Sequence, residues 1–195
     1  MRSAHSIEGF TRVHMVGVGG AGMSGLAKIV AGLGYEVTGS DLKPGRVLEA
    51  LEDTGIETWI GHRPERMSEA ELVVASSAVP PGDPELVAAE KAGAVVWERP
   101  ALLDALTSIM PGLGVTGTHG KTTTTGLVVA AMDGLGMDPS FLVGGELVGQ
   151  NTFAHLGNRD VFVLEADEAF GTFRHLHLNG LVVTNIEADH LDYYG

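Results

Sequence analysis

Two glycine loops about a hundred residues apart hold the residues whose types and spacing suit chemistry. The later one reads Gly114-Val-Thr-Gly117-Thr118-His119-Gly120-Lys121-Thr122-Thr123, between an apolar run and a helical pattern. Its glycines let successive backbone N–H groups converge on phosphate oxygens. Lys121 adds a mobile cation, and Thr122 has the spacing to place a hydroxyl on Mg²⁺. It is not a strict Walker A sequence, because Val115 stands where that pattern has Gly. Glu165 closes the apolar run Val161-Phe-Val-Leu164, at the carboxyl end of an expected central strand, where such sheets bind ligands. A carboxylate there can complete Mg²⁺ coordination beside a terminal phosphate. Asp167 and Glu168 crowd the same stretch. Thr184-Asn185-Ile-Glu187-Ala-Asp189-His190 follows the next apolar run, with His190 a candidate metal or phosphate contact.

The earlier loop is Gly17-Val-Gly19-Gly20-Ala21-Gly22, a G-x-G-x-x-G between a strand and a helix. In that motif the first glycine permits the tight turn, the second admits a pyrophosphate to the backbone, and the third allows close helix–strand packing. The anion then sits on the helix N-terminus. Asp41 ends the following strand, in position for a ribose hydroxyl. Taken alone, this loop suits a nicotinamide dehydrogenase. Two phosphate sites of nucleotide type instead suggest an enzyme joining ATP chemistry to a second phosphorylated substrate. His14 lies inside an apolar strand and reads as a packed or hydrogen-bonded core residue. His175 and His177 have no companions at ligand spacing.

The elements that must position these loops alternate. Strands are expected at 13–18, 36–41, 72–75 and 94–97, with helices after the first loop, at 46–53 and at 85–91. That alternation marks a parallel α/β sheet. A helix from Arg99-Pro100 to Met110-Pro111 leads to the second loop, a helix to about Leu135, and strands at 141–143, 161–164 and 181–184. The last two are apolar on both faces and are expected in a sheet centre. The reading is therefore a Rossmann-like parallel-sheet domain at 1–102 and an incomplete P-loop-type α/β domain at 103–195.

Hydrophobic content of 44% and charged content of 19% describe a globular protein, and a net charge of −13 argues against nucleic acid or an anionic membrane as partner. No apolar run approaches the ~20 residues of a membrane span, and the N-terminus lacks a signal-peptide core, so the cytoplasm is the expected compartment. The absence of Cys excludes disulfides and thiol catalysis.

Together these motifs resemble the Mur ligase family of peptidoglycan synthesis. The resemblance rests on residues 14–25, Gly39-Ser-Asp41, Ser76-Ser-Ala78, Gly117–Thr124, Glu165–Glu168 and Thr184–His190, which cover nearly the whole chain in the family's order. It accounts for Val115, because the family's own loop has the form G-T-x-G-K-T. It implies a first domain that holds a UDP-sugar and a central domain that holds Mg-ATP.

The implied activity is ATP-dependent ligation of L-alanine to the carboxylate of UDP-N-acetylmuramate through an acyl phosphate. A murein tripeptide joined to the same sugar nucleotide, or a non-catalytic UDP-sugar-binding protein, are the alternatives. By motif, Gly17, Gly19, Gly20, Ala21, Gly22, Met23 and Ser24 would hold the UDP diphosphate, with Asp41, His62, Ser76 and Ser77 near the uridine. Gly117, Thr118, His119, Gly120, Lys121, Thr122 and Thr123 would hold ATP. Lys121 would stabilise the transferring phosphoryl, Thr122 and Glu165 would hold one Mg²⁺, and His190 a second metal. Ala169-Phe170-Gly171 departs from the family's usual polar pair after Glu168. The remainder of the central domain and a third domain are absent from the pattern, so the polypeptide alone is expected to bind UDP-sugar with little or no ligase turnover.

Overall fold

The computed structural model describes residues 5–147, 149–150, 152–166 and 176–187. The chain divides into two compact units, Ser6–Leu102, and Leu103–Gly195 together with Met1–His5.

In the first unit five strands form one parallel sheet: β1 (Arg12–Val16), β2 (Glu36–Asp41), β3 (Glu57–Ile60), β4 (Leu72–Ala75) and β5 (Val95–Glu98), in the order β3-β2-β1-β4-β5. Strand order reverses between β1 and β4, so the carboxyl ends of these two open a crevice of the kind that binds nucleotides. Helices α1 (Ala21–Gly32), α2 (Arg46–Glu52) and α3 (Pro84–Ala92) connect the strands, with a 3₁₀ turn at Pro64–Glu69. Met23, Leu26, Ala27, Ile29 and Val30 form the buried stripe of α1. The four residues of β4 are all buried, as a strand covered on both faces requires. α3 starts on Pro84 behind Asp83, whose carboxylate caps the Glu85 N–H at 2.9 Å, and ends at Gly93 with φ +83°.

Helix α4 (Arg99–Ile109) contains the change of unit. The second unit holds β6 (Gly112–Thr116), α5 (Lys121–Gly134), β7 (Pro139–Leu147), β8 (Thr152–His155), β9 (Asn158–Glu165) and β10 (Leu178–Val183). Its sheet order is β10-β6-β9-β7-β8, parallel except for the β7–β8 pair. Phe141, Val143, Val163 and Val129 make the core between sheet and α5.

One expectation is corrected here. β9 does lie between β6 and β7, but β10 is an edge strand among the described residues, and Leu181 and Val183 are 44% and 48% exposed. An apolar run reports what its side chains can bury, not whether both backbone edges are paired. Strands β3 and β8, each at the far edge of its sheet, are additions to the elements read from sequence.

Candidate functional site: two phosphate loops

The first loop joins β1 to α1. Gly17 has φ +78°, and a Cβ there would come within 3.0 Å of Ser76, so the tight turn needs glycine on both counts. Gly17 and Val18 donate their N–H groups to the Ser40 carbonyl, tying the loop to β2. The other two glycines serve different neighbours from those the motif suggests. Asp41 Oδ2 accepts the Gly19 N–H at 2.9 Å, and a Cβ at Gly19 would meet that oxygen at 2.7 Å. Gly22 faces Arg99: a Cβ there would lie 3.1–3.2 Å from Cζ, Nη2 and Nε alike, so the guanidinium lies flat over the first turn of α1. Arg99 is thus a neighbour of the loop that sequence reasoning missed. Only the reach between a glycine and a residue 77 positions later reveals it.

Ala21 and Gly22 open α1 and have no carbonyl inside the helix to bond. The Gly20 N-cap contributes no side chain, so these N–H groups and the helix dipole form an anion seat. Met23 and Ser24 are buried, and Ser24 Oγ donates to the Gly20 and Ala21 carbonyls, so their side chains serve packing. Beside the loop, a cleft of about 330 Å³ is lined by Gly17, Gly20, Asp41, Lys43, His62 and Ser76, among others. Ser77 is exposed outside this lining.

Beneath the cleft lies a buried polar cluster. Glu85 is fully buried and accepts hydrogen bonds from Ser40 Oγ (2.5 Å), Trp59 Nε1 (2.9 Å) and the Arg63 N–H (2.9 Å). His14 Nε2 stands 3.9 Å from it, and the His14 ring stacks on Trp59 at 4.7 Å. Burial pushes the Glu85 carboxyl up, but His14, Ser40, the Arg63 N–H and Trp59 outweigh it and hold the pKa at about 2. His14 is thus the hydrogen-bonded core residue expected. His62, Asp83 and Glu85 bring one ligand atom each within 4.8 Å of one another. The donors already engaging Glu85 give that trio a structural character.

The second loop joins β6 to α5. Gly117 (φ +130°) and Gly120 (φ +82°) take backbone conformations that favour glycine. Lys121 Nζ donates to the Gly117 carbonyl at 2.8 Å, folding back over the loop. Thr122 and Thr123 are exposed, whereas Thr125 is buried with its hydroxyl on the Lys121 carbonyl.

Glu165 ends β9 in register with Val115, and its Oε1 accepts the Gly144 N–H at 2.8 Å. A Cβ at Gly144 would stand 2.9 Å from Oε2, and one at Gly145 would stand 3.5 Å from Thr122 Cγ2. Consecutive glycines of β7 thus leave room for two candidate ligands, Gly144 for the Glu165 carboxylate and Gly145 for Thr122. A hydroxyl and a carboxylate are the oxygen donors Mg²⁺ prefers, so the residues present fit that ion. Thr184, Asn185 and Glu187 reach back to the loop: Asn185 Oδ1 accepts the His119 N–H at 3.0 Å, and Thr184 Oγ1 donates to the His119 carbonyl at 2.7 Å. Asp167, Glu168, Ala169, Phe170, His175, Asp189 and His190 lie outside the described residues.

A doubly wound unit with a glycine loop beside a cleft, followed in the same chain by a second α/β unit with its own glycine loop between strand and helix, defines an α/β protein with two loops of phosphate-binding type. Comparison with known proteins gives that class a family. The profile described as "Mur ligase family, catalytic domain" matches residues 12–109, and the "Mur ligase middle domain" matches 115–195. The chain belongs to the Mur ligase family.

It is 46% identical over 183 residues to the UDP-N-acetylmuramate–L-alanine ligase of Cutibacterium acnes, covering 94% of this chain and 39% of that protein. With the enzyme of the same name from Mycolicibacterium gilvum it shares 48% over 189 residues, covering 94% and 40%. Among solved structures, the UDP-N-acetylmuramate-alanine ligase of Thermotoga maritima superposes with a TM-score of 0.84 at 32% identity, over 94% of this chain and 43% of that one. The UDP-N-acetylmuramate:L-alanyl-gamma-D-glutamyl-meso-diaminopimelate ligase, a tripeptide ligase from Neisseria meningitides, gives 0.82 at 30%, over 95% and 64%. The chain spans about two fifths of the length of the curated relatives it matches.

Proposed function

We propose that this chain forms the nucleotide-binding part of a cytoplasmic ligase that joins L-alanine to UDP-N-acetylmuramate at the expense of ATP. Residues 1–102 are the sugar-nucleotide domain and 103–195 the ATP domain. The observation that carries the reading is the identity of 46–48% with L-alanine ligases across both phosphate loops. Among the solved structures the L-alanine ligase and the tripeptide ligase stand nearly level, at 32% and 30%, so the identity to the curated L-alanine ligases carries the choice.

The diphosphate rests on the Ala21 and Gly22 N–H groups at the start of α1, and the uridine enters the cleft by Asp41, His62 and Ser76. Gly19 joins the diphosphate seat when Asp41 turns from it toward the ribose. On the second unit the N–H groups around Gly120–Thr122 cradle the ATP phosphates. Lys121 swings from the Gly117 carbonyl to the phosphoryl group being transferred, offsetting charge that spreads over its oxygens. Thr122 and Glu165 would hold Mg²⁺, which neutralises phosphate charge when bound, and His190 is proposed for a second ion. The muramoyl carboxylate attacks the γ-phosphorus, the bond from that phosphorus to the β,γ-bridging oxygen breaks, and ADP leaves. The alanine amine attacks the resulting acyl phosphate to give a tetrahedral intermediate, whose C–O bond to phosphate then breaks as the nitrogen gives up a proton, leaving the amide and inorganic phosphate.

Two calorimetric titrations test this. UDP-N-acetylmuramate should bind saturably and lose affinity in Gly19→Val, which drives a branched side chain into Asp41. Mg-ATP should bind independently and lose affinity at least tenfold in Lys121→Ala, with sugar-nucleotide binding unchanged. Failure of folded protein to bind either ligand refutes the corresponding domain assignment.

A further inference from the structure

A phosphate loop built on glycines is costly to order, because those residues lose the most backbone freedom on becoming fixed. In this chain the loop's midpoint is His119, between two glycines with positive φ. Its amide is held from both sides by one side chain: Asn185 Oδ1 accepts the His119 N–H at 3.0 Å, and Asn185 Nδ2 donates to the His119 carbonyl at 3.1 Å. Thr184 Oγ1 donates to the same carbonyl at 2.7 Å, and the Glu187 N–H donates to Thr118 Oγ1 at 3.2 Å.

Two consequences follow. The His119 N–H is engaged by Asn185 and is not among those turned to an anion. The His119 carbonyl, which would repel a phosphate oxygen, is occupied by two donors, Thr184 Oγ1 and Asn185 Nδ2, just past the β10 end. An amide side chain does both jobs from separate atoms, whereas an ionised carboxylate accepts but cannot donate.

We propose that Asn185 is a positioning residue that holds the empty loop in its phosphate-ready shape, so that Mg-ATP binds without first ordering Gly117–Gly120. This rests on the ATP reading above. Asn185 acts through His119 and does not touch the nucleotide.

The test compares wild type, Asn185→Ala and Asn185→Asp of this same chain. Three quantities are measured: Mg-ATP affinity, amide hydrogen exchange at His119 without nucleotide, and affinity for UDP-N-acetylmuramate. With two hydrogen bonds lost, Asn185→Ala should weaken Mg-ATP binding roughly thirtyfold and speed exchange at His119. Asn185→Asp keeps the acceptor, so it should retain protection at His119 yet still bind Mg-ATP more weakly. Sugar-nucleotide affinity should be unchanged in both, which a general loss of structure would not allow.

Wild-type affinity for Mg-ATP in both variants would overturn the role while leaving the ATP reading standing. So would equal His119 exchange in wild type and Asn185→Ala. Absence of Mg-ATP binding in wild type would overturn the ATP reading, and the role with it.

Discussion

Glu85 shows how a single carboxyl can tie the floor of a ligand cleft to the stability of its domain. Its folded pKa of about 2 lies below the ordinary value of 4.5, so its contribution is fully present above the unfolded pKa and is lost as pH falls toward 2. The size is on the order of 3 kcal/mol for a shift of this kind. Glu85→Gln should therefore lower the stability of the first unit at pH 7 and flatten its decline between about pH 4.5 and 2, as read by chemical denaturation at a series of pH values. An unchanged acid profile would show that the buried cluster does not set it. Neither the burial of Glu85 nor its partners Ser40 and Trp59 could be read from the chain. Glu85 sits in a helical stretch beside other charges, and its role exists only once three distant segments meet.

At the scale of elements, glycines placed against functional side chains matter as much as the side chains. Gly144 leaves just enough room for the Glu165 carboxylate, the far end of a flexible side chain, so Gly144→Ala should fold normally while displacing Glu165. The expected result is a thermal midpoint within a few degrees of wild type and an Mg-ATP affinity lowered about tenfold, with the loss concentrated in the dependence on Mg²⁺. Unaltered Mg²⁺ dependence would detach Glu165 from the metal.

The strand–helix alternation and both loops were legible because their signals are local: apolar runs, helical spacing and glycines at fixed offsets. Edge strands were not. Glu57-Thr-Trp-Ile60 buries a single side chain, Trp59, and so carries little pattern, while β10 looked central because its Leu-Val-Val run is apolar on both faces. The purpose of Gly19 and Gly22 was legible only as a motif. Asp41 and Arg99, which actually occupy the space those glycines leave, come from β2 and α4.

For the molecule as a whole, the proposed function asks a formal charge of −13 to coexist with two anionic ligands. On that reading the accommodation is local, with helix N-termini, converging N–H groups and Lys121 acting within a Debye length where the distant acidic surface is screened. Binding of either nucleotide should for that reason change only modestly between low and moderate salt, without the steep slope of a broad basic surface. The central claim is that one chain holds a uridine nucleotide and an adenine nucleotide at separate sites. Equilibrium dialysis with differently labelled UDP-N-acetylmuramate and Mg-ATP, present together at saturation, measures this directly. The account predicts one of each per chain, neither displacing the other and neither displaced by NADH. Competition of the two for a single site, or displacement of the sugar nucleotide by NADH, would contradict it.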